Sequence, residues 1–121
     1  MTWKSVLVGL VMGGAAIGAW AQSVPAKKAY LLVQSDVTNS DQYAAYAKLT
    51  PAIIEQYGGT FLTRGGRSLT LEGRKAPARV VVIEFPTYEA AQAFYNGPEY
   101  TAARKVRAGA ATMQIVVVEG L

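Results

Sequence analysis

The sequence contains neither cysteine nor histidine. Without cysteine there is no disulfide and no lipid attachment at a thiol. Without either residue, zinc sites, histidine-ligated haem and Cys or Ser-His nucleophiles are disfavoured. The eight acidic residues are spread along the chain, whereas a carboxylate site for a hard cation needs them gathered together. We therefore predict no metal site and no cofactor.

Charge is also scarce. Charged residues make up 17% of the chain, and the formal net charge of +4 is only mildly basic. Five basic residues are close in sequence, but they fall at predicted turns and strand ends, where we expect a solvated rim. They are Arg64, Arg67, Arg74, Lys75 and Arg79. We therefore predict no nucleic-acid partner.

One uncharged apolar run stands at the amino terminus. Lys4 precedes the stretch 6–21, which carries no charge and ends in Ala19-Trp20-Ala21. A basic start, an apolar middle and a small-residue end are typical of a secretory signal peptide. The run is also shorter than the roughly 20 apolar residues that span a bilayer. We predict cleavage after Ala21 and a periplasmic or secreted protein with no membrane attachment; a retained membrane anchor is the alternative.

The remaining chain is predicted to form one domain, because 121 residues allow no more. We divide the sequence into a signal peptide (1–21), a tether (22–28) and a single domain (29–121). Three largely apolar stretches predict strands: 29–37, 79–85 and 113–119. The valines and isoleucine of 79–85 are stiff at χ1, which favours a strand over a helix. A shorter strand is predicted at 60–63, and we expect it to continue over 68–72 beyond a bend at Gly65 and Gly66.

Apolar residues recur at helical spacing from residue 41 to residue 57. Asn39 or Ser40 is predicted to cap the start of this helix, and Gly58 to end it in the left-handed conformation. Pro51 lies inside the helical stretch and cannot donate a hydrogen bond to the carbonyl of Ala47. We therefore expect a kink or a break there.

The resulting order is strand, helix, strand, strand, helix, strand, in which the second helical region is interrupted at Gly97 and reopened by Pro98. This order predicts an α+β, ferredoxin-like βαββαβ fold with an antiparallel sheet covered on one face by helices. The crossovers are expected to place the first and third strands side by side and parallel at the centre. The second and fourth strands then form the edges.

Alternation along the central strands assigns their side chains to two faces. The predicted helix-facing set is Leu31, Val33, Val37, Val81, Ile83 and Phe85. The opposite face, called the open face below, carries Tyr30, Leu32, Gln34, Asp36, Val80, Val82 and Glu84. It is too apolar to be left to water, and such patches usually mark interfaces. We predict a homodimer that packs sheet against sheet as a dimeric α/β barrel.

Polar side chains on the open face form the first candidate site. Gln34, Asp36 and Glu84 fall on neighbouring central strands and on the same face, and Arg64 is expected to join them from the edge strand. A buried carboxyl group without a partner has a raised pKa and can act as a general base. Glu84 and Asp36 are therefore the catalytic candidates. The alternative is a polar network that fixes the register of the dimer.

A second candidate site is a pocket between the helices and the sheet. Five of the seven tyrosines fall on or near the helix stripes and are placed to line it: Tyr43, Tyr46, Tyr57, Tyr95 and Tyr100. Ordinary core packing is the alternative. Arg107 lies on the same helix face as Tyr100 and either pairs with Glu99 or Glu89 or reaches a ligand carboxylate. The ligand-binding candidates are Gln34, Tyr43, Tyr46, Arg64, Tyr95, Tyr100 and Arg107.

The stretch Arg64-Gly65-Gly66-Arg67 offers backbone amides and guanidinium groups to an anion. Two glycines beside charged residues are also common turn chemistry. The stretch lacks the length and the Lys-Ser/Thr ending of a phosphate loop. A simple bend or bulge is therefore the alternative to an anion site here.

Several motifs occur in a fixed order between about residues 28 and 119. They are Lys48-Leu49-x-Pro51-Ala52-Ile53-Ile54, Tyr57-Gly58-Gly59, Phe61-Leu62-x-Arg64-Gly65-Gly66, Glu72-Gly73, Ile83-Glu84-Phe85-Pro86, and Pro98-Glu99-Tyr100 followed by Arg107. In these motifs the chain resembles the uncharacterised DUF1330 domain. The resemblance implies the dimeric α/β-barrel superfamily, which includes cofactor-free monooxygenases, haem-degrading enzymes, dye-decolourising peroxidases and non-catalytic ligand-binding members. Many relatives lack a signal peptide, so a cytoplasmic role for them does not transfer.

The sequence leaves three functions open. The first is a periplasmic homodimer that binds a small, partly apolar molecule between helices and sheet. The second is a cofactor-independent oxygenase or isomerase in which Glu84 or Asp36 abstracts a proton. The third is a structural envelope module, in which side chains fill the space between the tyrosines.

Overall fold

The computed structural model describes residues 25–75, 77 and 79–121. The predicted signal peptide and the start of the tether lie outside these residues. The strands are β1 (Ala29–Val37), β2 (Thr60–Arg64), β3 (Arg79–Phe85) and β4 (Ala111–Glu119). The helices are α1 (Ser40–Gln56), α2 (Tyr88–Asn96) and α3 (Pro98–Val106). Within the described ranges, no helix is both long enough and apolar enough to cross a membrane.

The four strands form one antiparallel sheet in the order β2-β3-β1-β4. This confirms the ferredoxin-like fold, with β1 and β3 at the centre. The expectation that these two strands run parallel is wrong. Each strand-helix-strand crossover makes the strands that it joins parallel, but the connection from β2 to β3 reverses direction. Since β1 runs with β2, it runs against β3.

Helix α1 begins where the sequence indicates. The Asn39 side chain accepts a hydrogen bond from the Gln42 amide at 3.1 Å, which satisfies one of the free donors of the first turn. Gly58 follows the helix with a φ of 82°, a conformation that glycine adopts without a steric penalty.

Helix α1 continues through Pro51 without a break. Proline leaves the carbonyl of Ala47 without its usual helical donor. Two other groups replace that donor: the Thr50 hydroxyl and Nη2 of Arg64 each donate to the Ala47 oxygen at 3.2 Å. The predicted break is therefore absent, and the proline instead creates a contact between α1 and the end of β2.

Helices α2 and α3 are separated at Gly97, as predicted. The Thr87 hydroxyl accepts from the Ala90 amide at 3.0 Å and caps α2, and Pro98 opens α3. A Cβ atom at Gly97 would collide with the Tyr57 hydroxyl and with the carbonyl of Ala93. Only glycine therefore fits at this junction.

The connection from β2 to β3 differs from the prediction. β2 ends at Arg64, Gly65 turns with a φ of 72°, and residues 68–72 are not a strand. Leu69 and Leu71 are 82% and 88% exposed. The described pairing between β2 and β3 ends at Arg64 and Val81, and the Gly65 amide then donates to the carbonyl of Val80 at 3.2 Å. This segment, 65–75, is called the leucine loop below.

The two faces of the sheet divide as predicted. Leu31, Val33, Val81, Ile83 and Phe85 are buried under the helices, together with a fully buried Ser35; Val37 is partly buried against this core. On the open face, Leu32, Val116 and Val118 are exposed. The helices therefore cover a complete core on one side, while the other side of the same strands has no cover within the described chain.

Side-chain contacts join α1 to the last part of the chain. At its start, Nε2 of Gln42 donates to the carbonyls of Val106 and Ala108 at 2.9 and 2.8 Å. At its end, the Tyr57 hydroxyl donates to Oε2 of Glu99 at 2.7 Å. Helix α1 is thereby held at both ends by residues at or near the two ends of α3.

Candidate functional site

A cavity of about 40 Å³ lies between α1 and the helix-covered face of the sheet. Its apolar walls include Leu31, Val33, Ile54, Val81, Ile83 and Phe94. Its polar groups are the phenols of three tyrosines, one threonine and two arginines: Tyr43, Tyr46, Tyr100, Thr50, Arg64 and Arg79. Apolar walls with a few polar groups are the usual composition of a small-molecule pocket. The volume gives room for about three water molecules.

Hydrogen-bonded phenols form one side of the cavity. The Tyr46 and Tyr100 hydroxyl oxygens are 2.6 Å apart, and the Tyr43 hydroxyl lies 3.3 Å from Oγ of Ser35. The rings of Tyr43 and Tyr46 are in contact, with centroids 5.3 Å apart. Helical spacing explains the arrangement, because residues three apart on α1 share a face.

Burial raises the pKa of the Tyr46 phenol well above its usual range, and the neighbouring Tyr100 hydroxyl raises it further. Arg107 acts in the opposite direction but with less effect. Tyr46 is therefore a neutral phenol at every physiological pH. It can donate or accept a hydrogen bond in the cavity, but it does not supply a phenolate base.

Arg107 and Arg104, which do not line the cavity, pack against tyrosine rings. The Arg107 guanidinium carbon lies 5.1 Å from the ring centroid of Tyr46, and that of Arg104 lies 4.4 Å from that of Tyr95. Arg104 also donates to the Tyr95 hydroxyl at 2.9 Å. Tyr95 does not line the cavity between α1 and the sheet; it lines a separate depression beside β4. The predicted pairing of Arg107 with Glu99 or Glu89 is not formed in the structure.

Glu99 instead holds the end of α1. It accepts hydrogen bonds from the Tyr57 hydroxyl at 2.7 Å and from Nε2 of Gln56 at 3.1 Å. The Tyr57 hydroxyl lowers the pKa of the Glu99 carboxyl, and backbone and Gln56 hydrogen bonds lower it further. The same hydrogen bond raises the pKa of Tyr57. This contact is structural rather than part of the cavity.

Arg64 and Arg79 lie together at the rim of the cavity. Arg64 donates to the carbonyl of Ala47 and stacks on Phe61, with its guanidinium carbon 4.6 Å from the ring centroid. The Arg79 guanidinium carbon lies 5.8 Å from the ring centroid of Tyr43. Nε of Arg79 is buried and has no hydrogen-bond partner in the part of the chain that the structure describes. The arginine pair is therefore part of the site between helices and sheet.

The sequence prediction placed these arginines differently. Arg64 was expected beside the polar residues of the open face, and Arg79 was expected on the solvated rim. Strand pairing explains the outcome, because Arg64 is opposite Val81 and Arg79 is opposite Ser35, both of which face the helices. Arg79 lies an even number of residues before Val81, Ile83 and Phe85, so its side chain points to the same face of β3. This two-residue period is the sequence signal that predicts Arg79 on the helix-covered face.

At the predicted anion site Arg64-Gly65-Gly66-Arg67, one backbone amide is already used within the protein. The Gly65 amide is bonded to the carbonyl of Val80, and Arg67 is exposed and does not line the cavity. The stretch is a turn, which agrees with the simpler alternative. Of its two arginines, only Arg64 faces the cavity.

The polar residues of the open face do not form the predicted cluster. Gln34 is opposite Val80, whereas Glu84 is opposite Tyr30. Gln34 and Glu84 are thus about 13 Å apart along the sheet at the usual rise per residue. Asp36 lies further along the Gln34 end and is exposed.

Glu84 has a partner at its own end of the sheet. Nζ of Lys28 lies 3.0 Å from Oε1 of Glu84, and this hydrogen bond raises the pKa of Lys28. Asp36 and Gln34 instead face the leucine loop across an open depression. Neither carboxylate lines the cavity under the helices, and their catalytic roles stay predictions.

The antiparallel sheet, the helices on one face and the cavity between them define a ferredoxin-like α+β domain. Residues 28–121 match the family model described as Domain of unknown function (DUF1330), and the chain belongs to that family. This confirms the resemblance found in the sequence motifs. No curated protein matches the chain.

Solved structures with the same fold include proteins with and without a described activity. A protein of unknown function from Rhodopseudomonas palustris is 19% identical, with a TM-score of 0.66, and the match covers 88% of this chain and 92% of that protein. SnoaB, a cofactor-independent oxygenase from Streptomyces nogalater, is 13% identical, with a TM-score of 0.58 and coverages of 79% and 95%. At these identities the likeness establishes the fold alone.

Proposed function

We propose that the protein is an exported homodimer that binds a small, partly apolar molecule between its helices and its sheet. The observation that carries this proposal is the composition of the cavity. Hydrocarbon walls from β1, β3 and α1 meet neutral phenols on one side and two guanidinium groups at the rim. A buried polar group is costly unless it is bonded, and one donor of this lining, Nε of Arg79, is buried without a partner among the described residues.

The cavity is smaller than a typical ligand pocket, which suits a small ligand or an entrance that widens. Arg64 is exposed and Arg79 is half-buried, so the rim consists of two long side chains. Arg64, the more exposed of the two, is held by a hydrogen bond to Ala47 and by stacking on Phe61, and exposed side chains change rotamer quickly once such contacts are released. Their movement enlarges the entrance without displacing a helix.

The proposed dimer forms through the open face. Leu32, Val116 and Val118 are exposed there, beside the half-buried Val80 and Val82. The leucine loop adds Leu69 and Leu71 next to the same face, because residues of this loop and of β1, β3 and β4 line one depression. A second copy packed sheet to sheet removes this apolar surface from water. The signal-like sequence of residues 1–21 supports export.

The enzyme alternative depends on Glu84 or Asp36 as the base. Glu84 is paired with Lys28 and Asp36 is exposed, so the geometry favours ligand binding over proton abstraction by either carboxylate. The substitution Glu84→Gln separates the two functions. It abolishes turnover if Glu84 is the base, and it only weakens the dimer if the carboxylate is structural.

Native mass spectrometry of protein purified from the periplasm, without refolding, tests the proposal in one spectrum. We expect an amino terminus at Gln22, a dimer, and additional mass from a retained small molecule. A dimer without additional mass shifts the balance towards the structural module. A monomer contradicts the proposed sheet-to-sheet assembly.

A further inference from the structure

We propose that the ligand of the cavity is a small carboxylate, whose charged group binds between Arg79 and Arg64 and whose hydrocarbon part lies against the apolar walls. This inference rests on the proposed function and names the chemical class of the ligand. It starts from two cationic side chains that share one rim of the cavity.

The two arginines converge because of the strand pairing and the turn that follows β2. Both project to the helix side of the sheet, from positions opposite Val81 and Ser35. The Arg79 guanidinium packs against Gly65, the residue directly after Arg64. A Cβ atom at Gly65 would lie only 2.6 Å from Nη1 of Arg79. The turn thus brings the Arg79 guanidinium beside the backbone of Gly65, next to the residue Arg64 that carries the second guanidinium.

No carboxylate balances this pair. The cavity lining includes no acidic residue. Among the described residues, which include all eight acidic side chains, the ion pair present joins Lys28 to Glu84 at another part of the sheet. Both guanidinium groups bring a positive charge to the same cavity, and like charges without a counter-ion repel each other. A bound anion removes that repulsion.

Arg79 also has an unused donor. Its Nε is buried without a hydrogen-bond partner among the described residues. The same holds for Nε of Arg104 and Arg107, but of the three arginines only Arg79 lines the cavity. A buried donor that has lost water without gaining an acceptor destabilises the folded state. Among planar anions, a carboxylate matches the fork of N–H groups on a guanidinium and accepts two parallel hydrogen bonds. The ligand is therefore expected to supply the acceptor that the protein itself does not.

The rest of the cavity decides between a carboxylate and an inorganic anion. Beyond the arginines, the lining is mainly hydrocarbon and aromatic, from residues such as Ile54, Val81 and Phe94. Phosphate has no apolar part to place there, whereas a short fatty or aromatic acid does. Room for about three water molecules corresponds to a chain of only a few carbons.

The test is a titration of the full-length protein, or of its mature form, followed by amide chemical shifts in NMR. Three probes are compared: butyrate, its neutral isostere butyramide, and inorganic phosphate. We expect butyrate to shift the amides that surround the cavity, including those of Ala47 and Val81. We expect it to bind about 10 to 100 times more tightly than butyramide, because charge-assisted hydrogen bonds are lost with the amide.

Matched variants locate the charge that matters. Arg79→Gln and Arg64→Gln each remove one cation from the rim, and both should weaken butyrate binding by about tenfold or more. Arg67→Gln removes the same charge from an exposed position of the neighbouring turn and should leave the affinity unchanged. Arg79→Lys keeps the charge without the bidentate fork and should give an intermediate affinity. If Arg79→Gln fails to fold, Arg64→Gln and the comparison of probes on the unmodified protein still decide the question.

The outcomes separate this inference from the proposed function. Equal binding of butyramide and butyrate overturns the carboxylate assignment and leaves ligand binding intact. Phosphate that binds as tightly as butyrate also overturns it. If none of the probes shifts an amide near the cavity, both the carboxylate assignment and the binding function at this cavity fail. A loss of affinity in Arg67→Gln equal to that in Arg79→Gln overturns the location at the rim.

Discussion

The two faces of the sheet are built from alternate residues of the same strands, and both are rich in aliphatic side chains. On one face, Leu31, Val81 and Phe85 are almost completely buried under the helices. On the other, side chains of the same kind remain exposed, such as Val116 at 44%. The sequence of a strand thus encodes two apolar surfaces, of which this chain covers only one.

The comparison separates two kinds of stability. The helix-covered face contributes to the folding of a single chain, because its partners lie on the same chain. In the proposed dimer, the open face adds stability only when a second molecule covers it, so that its contribution would depend on protein concentration. The following predictions test this difference, beginning with the largest expected effect.

The substitution Phe85→Ala should have the largest effect on folding. Phe85 is fully buried and contacts Phe94, with ring centroids 5.3 Å apart, so its removal leaves a cavity in the core. We expect the free energy of unfolding to fall by about 3–5 kcal/mol, measured by urea denaturation. Val118→Ala, on the open face, is the control and should change little at low protein concentration. Equal losses in the two variants would contradict the distinction between the faces.

The substitution Val116→Lys should break the proposed dimer without unfolding the monomer. A lysine within the proposed sheet-to-sheet interface places one unpaired charge from each copy in an apolar contact. We expect the dissociation constant of the dimer to rise about 100-fold or more, measured by analytical ultracentrifugation. Leu49→Lys is the matched control, because Leu49 is 45% exposed but lies on α1. An unchanged dimer in Val116→Lys means that the open face is not the interface.

The covered face should also respond to alkaline pH through Tyr46. Its raised pKa results first from burial and then from Tyr100, so the protonated phenol stabilises the fold below its unfolded pKa of 10.0. That contribution is lost as the pH rises above this value, by up to about 1.4 kcal/mol per pH unit. Tyr46→Phe should make stability less sensitive above this pH. Val118→Ala, which keeps every tyrosine, should retain the wild-type slope, and identical slopes in all three proteins would refute the assignment.

The smallest effect is expected at the Glu99 contact, outside both faces. The hydrogen bond from Tyr57 lowers the pKa of Glu99, so the ionised carboxylate stabilises the fold above its ordinary pKa of 4.5. This contribution disappears as the pH falls through the lowered pKa. Glu99→Gln should remove that part of the acid sensitivity in denaturant titrations. Glu89→Gln, which removes the same charge from the first turn of α2, should not; a similar change in both variants would exclude a specific role for Tyr57.

Much of the fold could be predicted because it depends on local signals. The central strands β1 and β3 follow from apolar runs, which are rich in β-branched residues in β3. The division of α2 from α3 follows from Gly97 and Pro98, and the two faces follow from simple alternation. Residues 68–72 failed as a strand because pairing is not local. β-branched or apolar residues favour a strand only where a neighbouring strand is within reach.

The candidate site was predicted less completely for the same reason. Tyr43, Tyr46 and Tyr100 do line the cavity, since helical spacing is enough to place them on inner faces. The proposed group of Gln34, Asp36 and Glu84 required the register between β1 and β3. That register is fixed by the pairing of the two strands. Alternation along each strand predicts the face on which a side chain lies, but not how far it is from a side chain on the neighbouring strand.

The contacts at the two ends of α1 have a consequence for motion. Gln42 and Tyr57 join this helix to residues 64 and 42 positions away in sequence, so α1 cannot detach while the last part of the chain stays in place. Opening of α1 and opening of the α3–β4 segment are therefore one event. The amides of α1 should exchange hydrogen with solvent at the slow rate of that larger unit. The leucine loop has no helix or strand of its own and exposes Leu69 and Leu71, so its amides should exchange through smaller openings.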